Sequence, residues 1–178
     1  DVLIVGAGPA GCAAAITLQR SGKRVVIIDK ASFPRDKICG DGLTTSALRE
    51  LDALGLDPTS VASWIDVEDV IVRSPSGREV VFPLPRDNGV YAAVSRRQDL
   101  DAALVGLTRS VGVEVRENLA LTAIQQSNAD ALVTTESGET FRATYVIAAD
   151  GMWSPTRKAL GLAQPGYRGE WHAFRQYF

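Results

Sequence analysis

The sequence is poor in the side chains that build metal and disulfide sites, with 2 Cys and 1 His in 178 residues. Cys12 and Cys39 form no CxxC pair, and a single His172 is too little for zinc, whose sites draw on several Cys and His. No metal is therefore expected, and the cysteine usage suits a reducing, cytoplasmic compartment. No apolar run approaches the roughly 18 residues of a membrane span. A peripheral contact at a membrane surface stays open. Charge of neither sign dominates: 19 Lys plus Arg face 21 Asp plus Glu, for a net charge of −2. Nucleic acid, which needs clustered positive charge, is not an expected partner. Internal repeats, low-complexity segments, a nucleophile elbow and a signal-peptide pattern are also missing. There is no initiator Met either, since Asp1 opens straight into an apolar run, and Trp171–Phe178 reads as a strand without a terminator. The expectation is part of a longer chain, truncated at its C-terminus.

What remains is globular: 46% of residues are hydrophobic and 22% charged, close to the ordinary averages. Val2–Val5 is continuously apolar, as in a strand buried on both faces of a parallel sheet. Ala-rich Ala13–Gln19 has high helix propensity, Gly22 stops it, and Val25–Ile28 is a second buried strand. That order is the βαβ start of a doubly wound, Rossmann-like fold. Ala31–Gly42 reads as a loop, followed by a helix from Leu43 that ends at Gly55. Val67–Arg73 and Arg78–Phe82 then read as strands around the turn Ser74–Gly77, with a third at Val90–Val94. Such an antiparallel insert points to a sheet-built substrate domain. The α/β pattern resumes with a helix at Gln98–Ser110 and strands at Val113–Val115, Leu119–Gln125, Leu132–Thr135 and Thr140–Ala143. Tyr145–Ala149 reads as another buried parallel strand, before Asp150-Gly151 and a short helix at Pro155–Leu160. The expected division gives residues 1–64 and 95–164 to a nucleotide-binding domain, and 65–94 and 165–178 to part of a substrate-domain sheet.

Gly6-Ala7-Gly8-Pro9-Ala10-Gly11 fits GxGxxG between a strand and a helix. The first Gly permits the turn, the second lets backbone N–H groups approach a pyrophosphate, and the third packs helix on strand. The helix N-terminus adds partial positive charge. Asp29, ending the next strand, stands where a carboxylate accepts from both ribose hydroxyls. It argues against a 2′-phosphate, although Lys30 is adjacent. The ligand read from these residues is ADP-ribose-like, FAD or NAD.

Further along, Pro34-Arg35-Asp36-Lys37-Ile38-Cys39-Gly40-Asp41-Gly42-Leu43 is dense in charge, cysteine and glycine. Arg35 and Lys37 can bind an anion, and Gly40 and Gly42 let backbone lie close to a flat ring. This run resembles the signature P-R-x-K-x-C-G-x-G-L of the geranylgeranyl reductase family of FAD-dependent oxidoreductases, and within it the menaquinone side-chain reductases. Arg97-Gln98-Asp99-Leu100-Asp101 resembles the R-x-x-L-D element of the wider group, and Ala149–Arg157 its A-D-G-x-x-S-x-x-R element. Arg175–Phe178 resembles the strand that re-enters the substrate domain, while the family's later Gly-Asp-Ala element has no counterpart before Phe178.

The resemblance implies FAD, with Arg97, Asp150 and Gly151 at its pyrophosphate and ribityl, and Cys39, Gly40 and Gly42 at its ring. It makes Cys39 the candidate catalytic contact. Cys12 is expected to pack as a small hydrophobe, His172 to be a plain strand residue, and Trp64, Trp153 and Trp171 to be core. The implied activity is reduction of C=C bonds in a polyisoprenoid lipid by flavin hydride transfer, with NAD(P)H or another reductant as electron donor. A monooxygenase or halogenase of the same fold is the alternative. A non-catalytic nucleotide-binding fragment is the third reading.

Overall fold

Val2–Val5 forms strand β1 and is buried at every residue. In the computed structural model, which describes residues 1–85, 89–164, 166 and 174–176, β1 leads through a glycine turn into α1 (Pro9–Arg20). Pro9 occupies the first helical turn, where its missing N–H costs nothing, and Gly22 at φ 76° turns the chain after the last turn. β2 (Val25–Ile28) then pairs parallel to β1.

Strands β3 (Gly42–Thr44) and helix α2 (Thr45–Leu54) follow, then a 3₁₀ turn at Pro58–Ser60. Next come β4 (Ile65–Asp66), β5 (Asp69–Arg73), β6 (Glu79–Pro83) and β7 (Ala92–Val94). Helix α3 (Arg97–Ser110) leads to β8 (Glu114–Arg116), β9 (Leu121–Gln126), β10 (Ala131–Thr135), β11 (Thr140–Ala143), β12 (Tyr145–Ala148) and α4 (Pro155–Ala159). The chain divides into two compact units, Asp1–Arg35 with Asp101–Phe178, and Asp36–Leu100.

The first unit is layered. Its parallel sheet has the order β12-β1-β2-β8, and a second, antiparallel sheet has the order β11-β10-β9. Leu3, Val5 and Ile28 of the parallel sheet pack against Leu121, Val133 and Ala143 of the antiparallel one. Strand alternation sends the fully buried Ile4 and Ile27 to the other face, which α1 covers with Cys12, Ala15 and Ile16. Each buried Leu, Ile or Val side chain among these contributes about 1.5–3 kcal/mol of burial. The βαβ expectation and the α/β class hold.

The second unit is built on the antiparallel order β3-β7-β4 and the two-stranded sheet β5-β6. Thr44 caps α2 by accepting from the Ala47 N–H, and Gly55 ends it in the left-handed conformation at φ 81°. Ser74 N–H donates to Arg78 O across the β5–β6 turn, with Gly77 at φ 83°. Every residue of β5 and β6 is exposed.

Several boundaries depart from the sequence reading. The loop expected over 31–42 ends in β3, and the helix expected from Leu43 begins at Thr45, because Gly42–Thr44 pair with Ala92–Val94. β4 is an additional strand, too short to show periodicity. β12 is parallel, as expected, but it is not buried on both faces: it stands at the end of the strand order, and Tyr145 is 68% exposed. Trp153, expected in the core, is 56% exposed. The C-terminal strand expected at Trp171–Phe178 and the reading of His172 and Trp171 lie outside the described residues, apart from residues 174–176, which have no regular structure. Among the described residues no helix is long and apolar enough to cross a membrane, and no cluster of His, Cys, Asp and Glu could hold a metal ion.

Candidate functional site

In the first unit β1 lies between β2 and β12, so the chain leaves β1 on one side and later returns on the other. Open α/β sheets bind ligands at the carboxyl ends of strands where the order reverses in this way. Gly6 follows β1 at that point and Ala149-Asp150 follow β12. The two turns are wedged together. Gly6 has φ 106°, and a Cβ on it would lie 2.4 Å from the Ala149 carbonyl oxygen. A Cβ on Gly11 would lie 1.9 Å from the Gly6 carbonyl oxygen, so the helix packs on the turn with no room for a side chain.

Gly8 differs from both. Its φ of −75° and ψ of −176° are open to any residue, and among the described residues a Cβ there would meet nothing nearer than Arg35 Nη2, at 3.6 Å. Protein packing does not explain this glycine. It caps α1 without a side-chain hydrogen bond, and the first turn holds no acidic residue. The helix therefore presents uncompensated N–H groups and partial positive charge beside Gly8.

Asp29 is 8% exposed and ties the two neighbouring loops together. Its Oδ2 accepts from Ala7 N–H at 2.7 Å and its Oδ1 from Ala31 N–H at 2.8 Å. Each oxygen keeps a second lone-pair direction. Lys30 is exposed. Arg35 stacks over the Phe33 ring, 4.9 Å from its centroid, and its Nη1 stands 3.1 Å from Oδ2 of the wholly buried Asp101. That contact is an ion pair without hydrogen-bond alignment, so among the described residues Nη1 still has a hydrogen bond to give. Across the turn Asp150 Oδ2 accepts from Thr156 N–H at 2.8 Å, while its buried Oδ1 has no partner among the described residues. Thr156 Oγ1 is likewise buried and unpartnered among them.

Gly6, Gly8, Pro9, Ala10, Gly11, Asp29, Lys30, Arg35, Asp150 and Gly151 thus all belong to the first unit. Cys39, Gly40, Gly42 and Arg97 belong to the second. There Cys39 is half-buried, a Cβ on Gly40 would meet nothing within 4 Å, and Gly42 pairs with Val94 shortly before Arg97 opens α3. Asp41 holds φ 59° between them and accepts from Ser95 N–H through its carbonyl. Cys12 is a packing residue, as expected: burial pushes its thiol up to about 11, far from a reactive range. Two residues of the site went unassigned in the sequence. Asp101 stood inside the R-x-x-L-D run, and Thr156 inside the run after Asp150, but neither showed its partner.

The sequence matches the FAD binding domain family over residues 1–177. The chain belongs to that family. It is 38% identical over 171 residues to a menaquinone reductase of Mycolicibacterium smegmatis, covering 90% of this chain and 40% of that protein. It is 31% identical over 176 residues to a 3-(3-hydroxy-phenyl)propionate/3-hydroxycinnamic acid hydroxylase of Mycolicibacterium gilvum, covering 93% of this chain and 30% of the hydroxylase. Among solved structures it resembles a flavoprotein/dehydrogenase from Cytophaga hutchinsonii, with TM-score 0.78 and 28% identity over 94% of this chain and 43% of that one. The chain thus spans less than half the length of these relatives.

The residues present fit FAD. Gly8 leaves clear the space a Cβ would fill beside an uncapped helix terminus, as a pyrophosphate requires. The unused donor on Arg35 and the unused acceptor on Asp150 would each cost about 1–3 kcal/mol if left without a partner. A dinucleotide carries both an anionic oxygen for the first and hydroxyls for the second.

Proposed function

We propose that this chain is the FAD-holding part of an oxidoreductase that saturates C=C bonds in a polyisoprenoid, such as a menaquinone or geranylgeranyl side chain. The observation that carries the reductase reading is the 38% identity to a menaquinone reductase over 90% of the chain. It agrees with the P-R-x-K-x-C-G-x-G-L run, whose Arg35 stands beside Gly8.

In this reading residues 1–64 and 95–164 bind the cofactor, and 65–94 with 165–178 contribute to the substrate side. Gly6, Gly8 and Gly11, with Pro9 and Ala10 at the helix start, receive the pyrophosphate. Asp29 offers its remaining lone pairs to the adenosine ribose, with Lys30 at the rim. Arg35 neutralises phosphate charge. Asp150 and Gly151 take the ribityl side. The resemblance assigns Arg97 to the pyrophosphate and ribityl, and Cys39, Gly40 and Gly42 to the ring, with Cys39 as the contact nearest the chemistry. When bound and in its reduced form, FAD would supply a hydride to one alkene carbon, with a proton completing the other. NAD(P)H or another reductant must restore the electrons. In this reading the enzyme works in the cytoplasm, as its cysteine usage suits, and at or near a membrane surface because its substrate is a lipid.

The hydroxylase relative supports the second reading, a monooxygenase or halogenase on the same fold. The two separate in one experiment on the protein expressed at full length. Its flavin is reduced without oxygen, menaquinone or a geranylgeranyl lipid is added, and flavin reoxidation is followed together with the mass of the lipid. Reoxidation with a gain of about two mass units per bond is expected. Reoxidation only on admitting oxygen, with the lipid unsaturated as before, overturns the reductase reading. Cys39→Ala is expected to keep FAD and turn over more slowly. Full activity in that variant removes Cys39 from the reacting centre.

A further inference from the structure

Asp101 is the most deeply buried charge of the described residues, with 0% of its side chain exposed, and no proposal above gives it a task. A buried carboxylate needs an opposite charge or hydrogen-bond donors around it, and here Arg35 Nη1 stands 3.1 Å away. The guanidinium is held from two directions and faces Gly8 in a third. Phe33 lies beneath it, Asp101 is at one edge, and Nη2 reaches to within 3.6 Å of where a Gly8 Cβ would sit. A long, flexible side chain is thereby kept in one place, next to the turn that receives a pyrophosphate. Its planar fork has donors to spare after meeting Asp101, and the Nη1 hydrogen bond is one of them.

The place of the pair in the chain adds to this. Arg35 is the residue at which the chain leaves the first unit, and Asp101 the residue at which it returns. A contact between two chain-crossing points could serve only to staple them. Stapling alone, however, does not call for an arginine set against a glycine that packing leaves unexplained.

We infer that Asp101 is a positioning residue for the cofactor, its buried carboxylate fixing Arg35 beside Gly8 so that the guanidinium meets the pyrophosphate. This rests on the FAD reading. The test is FAD affinity, followed by flavin fluorescence, of the full-length protein and the variants Arg35→Met, Asp101→Asn and the double variant. Each single change should raise Kd about tenfold or more, and the double should bind within about twofold of Arg35→Met alone. Wild-type affinity in Asp101→Asn, or a further loss of about tenfold on adding it to Arg35→Met, overturns the inference, since Asp101 then acts by another route. Should Asp101→Asn fail to fold, Asp101→Glu keeps the charge and moves it by one methylene. Binding weakened by about threefold or more supports positioning, and unchanged binding overturns it. Failure of the wild type to bind FAD is a different result, and refutes the cofactor reading instead.

Discussion

Alanine at Gly8 and alanine at Gly11 meet different surroundings. At Gly11 the new Cβ would overlap the Gly6 carbonyl at 1.9 Å, and no flexible side chain can give way. Gly11→Ala is expected to destabilise by about 4 kcal/mol or more, read as a lower urea midpoint. At Gly8 the nearest atom is 3.6 Å away and the backbone is extended. Gly8→Ala should cost no more than about 1 kcal/mol of stability, the loss of a favoured capping residue, yet raise the FAD Kd roughly tenfold. Unchanged FAD affinity would mean that the pyrophosphate lies elsewhere. The cysteines differ too. Burial raises Cys12 from 9.0 to about 11, so native protein at pH 8 should be alkylated by iodoacetamide at Cys39 and not at Cys12 until it is unfolded, as mass spectrometry would show. The sign follows for stability: the Cys12 contribution is whole below pH 9.0 and is lost as pH rises toward about 11. The glycine turn was legible in the sequence because its sterics are local. The partnership of Arg35 with Asp101 was not, since the entire second unit separates them along the chain.

Among elements, the β9–β10 turn shows how a short loop is fixed by charge. Ser127 Oγ donates to Asp130 Oδ1 at 2.7 Å, and Arg142 Nη1 donates to Oδ2 at 2.7 Å. Ser127 first, and then Arg142, hold the Asp130 carboxyl below its ordinary 3.8. A depressed carboxylate stabilises the fold above pH 3.8, and that contribution is lost as pH falls through the folded-state value. Asp130→Asn should therefore melt below the wild type at pH 7, with the gap closing in acid. A gap that persists at low pH would assign the effect to packing. The same scale shows where periodicity stops informing. Val2–Val5 and Tyr145–Ala148 are equally apolar tetrads, and both become parallel strands. Only strand order decides that the first is enclosed and the second stands at an edge, and order is set by long-range pairing that no local window contains. The hairpin at Ser74–Gly77 and the cap at Gly55 were readable because turn chemistry is carried by the residues themselves.

For the whole molecule, burial predicts an uneven distribution of local stability. β1 is buried at all of its residues and β2 at three of four, whereas β5 and β6 are exposed throughout. Hydrogen exchange should therefore be fast in Val70–Val72 and Val80–Phe82, through local opening, and slow in Leu3–Val5 and Ile27–Ile28. Equal protection in the two sets would show that the hairpin is covered in the full protein. The α/β class and the glycine turn between β1 and α1 were visible at this scale from the order of elements, while the partition at residues 35/36 and 100/101 was not, because compactness depends on contacts across the chain. The interlocking of Gly6 with Ala149-Asp150 has a consequence in time. A ribosome delivers β1 well before β12, at about 5–20 residues per second. For about 10–30 seconds the glycine turn exists without the strand that encloses it. During synthesis the nascent chain carries the Gly6 turn without the Ala149-Asp150 turn that wedges against it, and the pair closes only once Asp150 has left the exit tunnel.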